Sequence, residues 1–257
     1  LPKDYVAYRL SGSFCTDVSD ASGTLYFDVQ NRCWAKKILD AHGIKEEWLP
    51  RGLESDECAG MLKADLADEL GLGEVKIIIG AGDNAAAAIG TGTVKDGDCN
   101  ISLGTSGTIF TVSDKFSLDR ESAIHSFCSA SRNYHQMACM LSAAVCCNWW
   151  VEKVLRDGYD SVNIKINRLG ENEVMFLPYL MGERSPLNDT DIRGLFCGMS
   201  LDTDKDDMSL AVLEGVAFAL RHNIDIIRNM GIDIKESNIC GGGTKNKLWL
   251  KIIANVL

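Results

Sequence analysis

The chain has 257 residues, 46% of them hydrophobic, and a formal net charge of −10 at pH 7. This length can bury one large core or two modest ones, so we expect two domains, and the acidic balance argues against a nucleic-acid partner. The sequence has no run of about 18 apolar residues and no signal-peptide pattern, so we expect no membrane partner and no secretion.

Ten cysteines are scattered along the chain without a C-x-x-C pair. Most of them lie in apolar runs, as buried free thiols do. Cys139 and Cys146 can share a helical face, but with only four scattered histidines they make a poor zinc site. We therefore expect structural thiols and a cytoplasmic protein.

The first part of the chain contains two predicted short helices and one predicted strand. The helices span 34–43 and 63–72, and each pattern ends at a glycine. The run 75–79 is β-branched and predicts a buried strand, and residues 84–89 are compact and helix-permissive. Asp83 then lies in the turn where a helix begins.

Asp83 is the first candidate for chemistry. The helix dipole and the free N–H groups favour an ionised carboxylate at this turn, and such a carboxylate can accept a proton. A helix N-cap without chemistry is the alternative. Gly80, Gly82 and Ala85 also satisfy the dinucleotide pattern G-x-G-x-x-A. That interpretation is weaker, because an Asp in the loop would repel a pyrophosphate.

A second glycine turn follows in the segment 100–112, where two β-rich runs flank Gly104, Thr105, Ser106 and Gly107. This pattern predicts a hairpin. Glycines allow backbone N–H groups to converge on an anion, and the two hydroxyl groups add donors, so the turn can bind phosphate. An ordinary hairpin turn is the alternative.

Two longer helices are predicted over 141–156 and 206–230. In the first, Trp149 and Trp150 are expected to pack in a core. In the second, apolar residues recur at helical spacing, which is typical of a structural helix that packs one face against the core.

The third glycine turn, 241–244 with the sequence GGGT, follows the short run 238–240 and precedes a predicted amphipathic helix at 247–257. Strand, glycine turn and helix in this order suit a nucleotide whose charge lies near a helix start. The spacing is not that of a P-loop, and a plain connection in an α/β domain is the alternative.

Together with their surroundings, these turns resemble the FGGY family of carbohydrate kinases, and within it the xylulose kinases. The matching stretches run in the family's order: LPKDYVAYRLSG (1–12), TDVSDASGTLYFDV (16–29), GAGDNAAAAIGTG (80–92), SLGTSGT (102–108), FLPYLMGERSPLNDTDIRG (176–194) and GGGTKNKLW (241–249). Each stretch alone is weak or moderate evidence, but the set is highly specific.

The resemblance implies an α/β fold of the actin-like ATPase (ribonuclease H-like) type, in which two domains face each other across a cleft. Residues 1–97 would be the end of the sugar-binding domain and 98–257 the start of the ATP-binding domain, divided at the polar segment 93–98. Family members begin with a hairpin that carries an Asp-x-Gly-Thr type turn and continue past the third glycine turn, so we expect an internal piece of a longer kinase.

The implied activity is transfer of the γ-phosphate of Mg-ATP to a ketopentose, D-xylulose before other sugars, giving D-xylulose 5-phosphate. Asp83 matches the family's catalytic base, and Asn84 matches a residue that hydrogen-bonds the sugar. The implied cofactors are ATP and Mg²⁺, without an assigned metal ligand. The implied partners are the small-molecule sugar and ATP, and a homodimer is allowed.

The resemblance also implies residues for ATP binding, which are Gly104, Thr105, Ser106, Gly242, Gly243, Thr244 and Lys247. Lys247 is the least typical of them, because a lysine just inside a helix is usually solvated. The GERSP loop at 182–186 and Arg193 match the family as well, and we expect them to shape the cleft entrance or a domain contact.

Three alternatives stay open at this point. The first is a kinase for gluconate, ribulose or glycerol, because the family builds its sugar pocket mainly from a part that precedes these residues. The second is a non-catalytic nucleotide-binding or interaction module. The third, and most remote, is a dehydrogenase.

Overall fold

The computed structural model describes residues 1–121, 123–162 and 170–257. The chain forms two compact units. The first unit comprises Leu1–Asp96, Val112–Phe116 and Ser126–His135, and the second comprises Gly97–Thr111, Ser117–His125 and Gln136–Leu257. Within the described ranges, no helix combines the length and apolarity that a membrane crossing requires.

The first unit alternates short helices with paired short strands. Its helices are α1 (Pro2–Ser11), α2 (Val18–Ala21), α3 (Lys36–Ala41), α4 (Ala64–Leu70) and α5 (Asp83–Gly90). Its strands pair as β1 (Cys15–Asp17) parallel to β4 (Arg51–Leu53), β2 (Phe27–Asp28) antiparallel to β3 (Cys33–Trp34), and β5 (Cys58–Met61) antiparallel to β6 (Lys76–Ile78). The helices predicted at 34–43 and 63–72 are present and shorter, and α4 ends at Gly71 in the left-handed conformation.

A five-stranded sheet has most of its residues in the second unit. The strands of the sheet are β7 (Cys99–Leu103), β8 (Gly107–Ser113), β9 (His125–Cys128), β10 (Tyr134–Met140) and β13 (Ser237–Cys240), in the order β13-β7-β8-β10-β9. A separate antiparallel pair is formed by β11 (Met175–Leu177) and β12 (Leu195–Cys197). The helices are α6 (Ala144–Trp149), α7 (Lys205–Asn229) and α8 (Lys247–Val256).

The main core of the second unit lies between the sheet and these three helices. Alternate residues of β7 are buried, and the inner face of α7 is buried along most of its length. Asp204 and Asp207 form a capping box that fixes the start of α7. Trp150 is buried, and its indole Nε1 donates to Ser209 Oγ at 2.8 Å. Trp149 stacks on Phe176, so the predicted core role of both tryptophans is confirmed.

The helix predicted over 141–156 differs from the observed one. Helix α6 begins only at Ala144, and Trp150–Leu155 continues it as a π-helix. The later start has a tertiary cause, because the N–H groups of Ala143 and Ala144 donate to carbonyl groups of the β7–β8 turn.

Candidate functional site

The turn that precedes Asp83 connects β6 to α5 in the first unit. Gly80 has a φ of +76°, a conformation that favours glycine, and its N–H donates to the carbonyl of Ser55 at 3.1 Å. The N-cap of α5 is Gly82, and Asp83 is the first helical residue. The alternative interpretation of Asp83 as the N-cap is therefore wrong.

Asp83 is exposed in the first turn of α5. Its Oδ1 accepts from the backbone N–H of Asn84 at 2.7 Å and from Asn84 Nδ2 at 3.1 Å. The positive end of the helix dipole stabilises a negative charge at this position. The structure thus presents a carboxylate and an amide side by side, which is a pair that can both accept from and donate to sugar hydroxyl groups.

The predicted hairpin is confirmed in the second unit. Strands β7 and β8 pair antiparallel with Leu103 opposite Gly107, which leaves a three-residue turn closed by a bond from Gly104 N–H to the carbonyl of Ser106. Ala143 N–H donates to the Thr105 carbonyl at 3.0 Å, and Ala144 N–H donates to the Gly104 carbonyl at 2.8 Å. The start of α6 is thereby fixed to the turn.

The third glycine turn lies beside the hairpin turn because β13 pairs parallel with β7, with Cys240 opposite Ser102. Gly241 has a φ of +99°, and a Cβ there would be 2.6 Å from the Leu103 carbonyl oxygen. A 3₁₀-helix, Gly242–Lys245, follows. Asn246 then caps α8 by accepting from Trp249 N–H at 3.1 Å.

A cavity of about 740 Å³ opens between these two turns. Its walls come from the hairpin turn, α6, the 3₁₀-helix at Tyr159–Val162, the third glycine turn and the start of α8. The lining residues are Gly104, Thr105, Ala144, Cys147, Asn148, Tyr159, Asp160, Gly242, Gly243, Lys245, Asn246 and Trp249. This volume is within the range of small-molecule sites.

The cavity brings together four of the residues predicted to bind ATP, namely Gly104, Thr105, Gly242 and Gly243. The remaining three, which are Ser106, Thr244 and Lys247, do not line it. Thr244 uses its hydroxyl group to donate to the Gly241 carbonyl at 2.7 Å. Lys247 is exposed at the first position of α8.

Several residues of this cavity are not among those predicted from the sequence. Lys245 is the lysine that lines it, and it directly follows the glycine turn, which was a usable signal. Asn148 lies one helical turn after Ala144, whereas no sequence pattern indicates Tyr159. Burial raises the pKa of the Cys147 thiol to about 11, so this part of the wall is neutral at physiological pH.

Glu183 of the GERSP loop is an interior support in the second unit. It is only 1% exposed, and its Oε1 accepts from the N–H groups of Leu141 and Arg184, both at 2.8 Å. Burial raises the pKa of its carboxyl group, although the two N–H bonds act in the opposite direction. Leu141 precedes the residues that bond to the hairpin turn, so Glu183 holds the segment that supports that turn.

The rest of the GERSP loop and Arg193 also make contacts inside the second unit. Ser185 Oγ donates to the Ala123 carbonyl, and the Ser185 carbonyl accepts from Asn223 Nδ2 at 3.3 Å. Arg193 Nη1 donates to the carbonyl groups of Thr190 and Ile192.

Over the parts of the chain that the structure describes, no group of three or more His, Cys, Asp or Glu side chains is placed to hold a metal ion. Mg²⁺ in nucleotide sites is commonly held by one or two carboxylates together with the substrate phosphates. The described residues therefore provide no complete protein cage for the ion.

Comparisons with known proteins agree with this geometry. Family models of the FGGY carbohydrate kinases match residues 1–90 (N-terminal domain) and 99–257 (C-terminal domain). The xylulose kinase of Escherichia coli K12 is 37% identical over 259 residues, which cover 100% of this chain and 54% of that protein. The chain thus spans about half the length of the curated relatives it matches.

Solved structures give the same relationship. A crystal structure described as a xyloylose kinase from Brucella ovis superposes with a TM-score of 0.93 at 42% identity and covers 99% of this chain and 53% of that one. A gluconate kinase from Lactobacillus acidophilus superposes with a TM-score of 0.89 at 28% identity over 98% of this chain and 52% of that one. The chain therefore belongs to the FGGY family of carbohydrate kinases.

Proposed function

We propose that the protein is an ATP-dependent sugar kinase that transfers the γ-phosphate of ATP to a hydroxyl group of D-xylulose, giving D-xylulose 5-phosphate. The observation that carries this proposal is the cavity at the edge where β7 and β13 both end. Two glycine turns approach each other there, and Thr105 and Lys245 add a hydroxyl group and a cation to the wall.

In this proposal residues 98–257 form the domain that binds ATP. Gly104, Thr105, Gly242 and Gly243 would contact the nucleotide, because backbone without side chains allows phosphates to approach closely. Lys245 would neutralise phosphate charge. Ser106, Thr244 and Lys247 keep their proposed ATP-binding role only through the family resemblance.

The sugar-binding domain, residues 1–97, would supply Asp83 and Asn84. Asp83 would accept the proton of the attacking sugar hydroxyl, and Asn84 would hydrogen-bond the sugar. A sugar hydroxyl is far less acidic than a carboxylic acid, so the proton moves late and Asp83 mainly orients the nucleophile. Positioning and charge stabilisation supply most of the barrier reduction in phosphoryl transfer.

Mg²⁺ has no assigned ligand in this proposal. When bound with ATP, the ion would neutralise the negative charge that develops on the phosphates.

D-xylulose is proposed as the substrate because the E. coli relative, 37% identical over the whole chain, is a xylulose kinase. Gluconate is the second candidate, because the structure from Lactobacillus acidophilus is a gluconate kinase.

The ten cysteines are all free thiols, which supports a reducing compartment such as the cytoplasm.

The proposal is tested by coupled ADP release from the full-length protein with Mg-ATP and, in turn, D-xylulose, D-ribulose, gluconate and glycerol. We expect the highest kcat/KM with D-xylulose. Asp83→Asn should lower kcat by about a thousandfold or more while the ATP dissociation constant stays within about twofold, since the carboxylate acts on the sugar hydroxyl. ADP release that no sugar stimulates would refute the kinase proposal and favour a nucleotide-binding module.

A further inference from the structure

The segment TDVSDASG of the first unit contains a buried polar network for which the proposed function has no role. Asp17 is fully buried at the end of β1. Its Oδ2 accepts from Ser19 Oγ at 2.5 Å, from Ser19 N–H at 2.9 Å and from Ser55 Oγ at 2.7 Å. Its Oδ1 forms an ion pair with Lys3 Nζ at 2.7 Å. A buried carboxylate needs such partners, because an unpaired one is very costly.

Lys3 gives the network its positive charge. It also contacts Asp4 Oδ1 at 2.6 Å and Asp20 Oδ2 at 3.6 Å. Burial lowers the pKa of Lys3, but its hydrogen bonds to Asp17 and Asp4 outweigh that effect and leave the pKa raised. Lys3 therefore stays protonated near neutral pH and keeps Asp17 paired.

The network ends at the turn before Asp83. Gly82 N–H donates to Ser19 Oγ at 3.0 Å, and Gly80 N–H donates to the Ser55 carbonyl at 3.1 Å. The same two serines that bond to Asp17 thus hold both ends of this three-residue turn. Ser19 has one hydroxyl proton, and it donates this proton in the hydrogen bond to Asp17. The oxygen of Ser19 can therefore only accept from Gly82.

We propose, on the basis of the proposed kinase function, that Asp17 and Ser19 are positioning residues for Asp83. Asp17 fixes the hydroxyl direction of Ser19, and Ser19 fixes the peptide that immediately precedes the catalytic carboxylate. A displacement of about 1 Å in such a carboxylate can cost a hundredfold in rate. Asp17 and Ser19 would then serve catalysis through the backbone of the turn without touching the substrate.

The decisive variant is Ser19→Ala in the full-length protein, with Ser19→Thr as the variant that keeps the hydroxyl group. Ser22→Ala is the matched control. Ser22 is a buried serine three residues further on, and its hydroxyl group bonds to the Val18 carbonyl and to the N–H of Cys128 instead of the turn. Both alanine variants lose a buried hydroxyl group, so a general loss of stability affects both.

We expect Ser19→Ala to lower kcat with D-xylulose by about ten- to a hundredfold, with the ATP dissociation constant within about twofold of wild type. Ser19→Thr should recover most of the rate, and Ser22→Ala should keep kcat within about twofold at a comparable melting temperature. Equal losses of kcat in both alanine variants would refute the positioning role.

Amide hydrogen exchange of the segment 79–84, read by mass spectrometry without any substrate, separates this inference from the proposed function. Exchange at the turn should accelerate about tenfold in Ser19→Ala and stay unchanged in Ser22→Ala. A wild-type protein that phosphorylates no sugar would refute the kinase function and, with it, a catalytic purpose for the network. Unchanged exchange in Ser19→Ala would show that Ser19 does not hold the turn.

Discussion

Gly243 packs directly against Leu103, and a Cβ built on Gly243 would lie 2.5 Å from Leu103 Cδ2. Leu103 is the last residue of β7 and fully buried, so its side chain has little freedom to move. The neighbouring Gly242 has open space around its Cβ position, and both glycines line the cavity. A side chain would therefore collide with the core at Gly243 but not at Gly242.

This contrast predicts that Gly243→Ala mainly lowers stability and that Gly242→Ala mainly weakens ATP binding. Gly243→Ala should lower the free energy of unfolding by about 1–3 kcal/mol through overpacking. Gly242→Ala should change stability by less than about 1 kcal/mol but weaken ATP binding, because its methyl group enters the cavity. Denaturant unfolding and ATP titration of both variants check the prediction, and equal stability losses would contradict it.

Thr105 lines the cavity and Ser106, its neighbour in the hairpin turn, does not. Thr105→Val keeps the shape of the side chain and removes the hydroxyl group. The KM for ATP should therefore rise about fivefold, which corresponds to the usual free-energy contribution of one hydrogen bond. Ser106→Ala removes a hydroxyl group that does not line the cavity, so it should raise the KM for ATP less than Thr105→Val does. Initial rates at saturating sugar give both values, and a larger effect at Ser106 would reverse the assignment.

Glu183 should show a difference between its alanine and glutamine variants. Glu183→Ala leaves the N–H groups of Leu141 and Arg184 without their acceptor, and we expect a loss of about 1–3 kcal/mol in the free energy of unfolding. A glutamine oxygen can accept the same two bonds, so Glu183→Gln should cost less than Glu183→Ala.

The measurements for Glu183 are denaturant unfolding and ATP affinity. Because Leu141 leads into the segment that supports the hairpin turn, only Glu183→Ala should also weaken ATP binding. Equal costs for the two variants would show that the charge of Glu183, and not its acceptor geometry, matters.

His135 makes the stability of the protein depend on pH. Burial lowers its pKa to about 3, while a backbone hydrogen bond at Cys128 acts in the opposite direction. The unfolded chain therefore binds a proton at His135 near pH 6.5 that the folded protein does not bind. The free energy of unfolding is therefore unaffected by His135 above pH 6.5. Below pH 6.5 it falls by about 1.4 kcal/mol for each pH unit.

Unfolding free energies between pH 7 and pH 5 check this prediction, since most carboxylates do not titrate there. His135→Gln should flatten the slope. Burial also lowers the pKa of His125, so a smaller slope of the same sign should remain in the variant. An unchanged slope would show that His135 does not carry the effect.

The local elements around the candidate site follow from the amino-acid sequence. The hairpin at Gly104–Gly107 and α7 follow from glycines that permit turns and from apolar residues at helical spacing, which are properties of neighbouring residues. The position of Asp83 at the start of a helix was local in the same way, although its predicted N-cap alternative was wrong because Gly82 occupies that position.

Which of these elements meet depends on long-range pairing and packing. The parallel pairing of β13 with β7 joins residues about 140 positions apart and places two glycine turns at one edge of the sheet. The same packing selects Lys245 in place of Lys247 for the cavity and delays the start of α6 to Ala144. Long-range pairing and close packing depend on residues far apart in the chain, so no local pattern contains them.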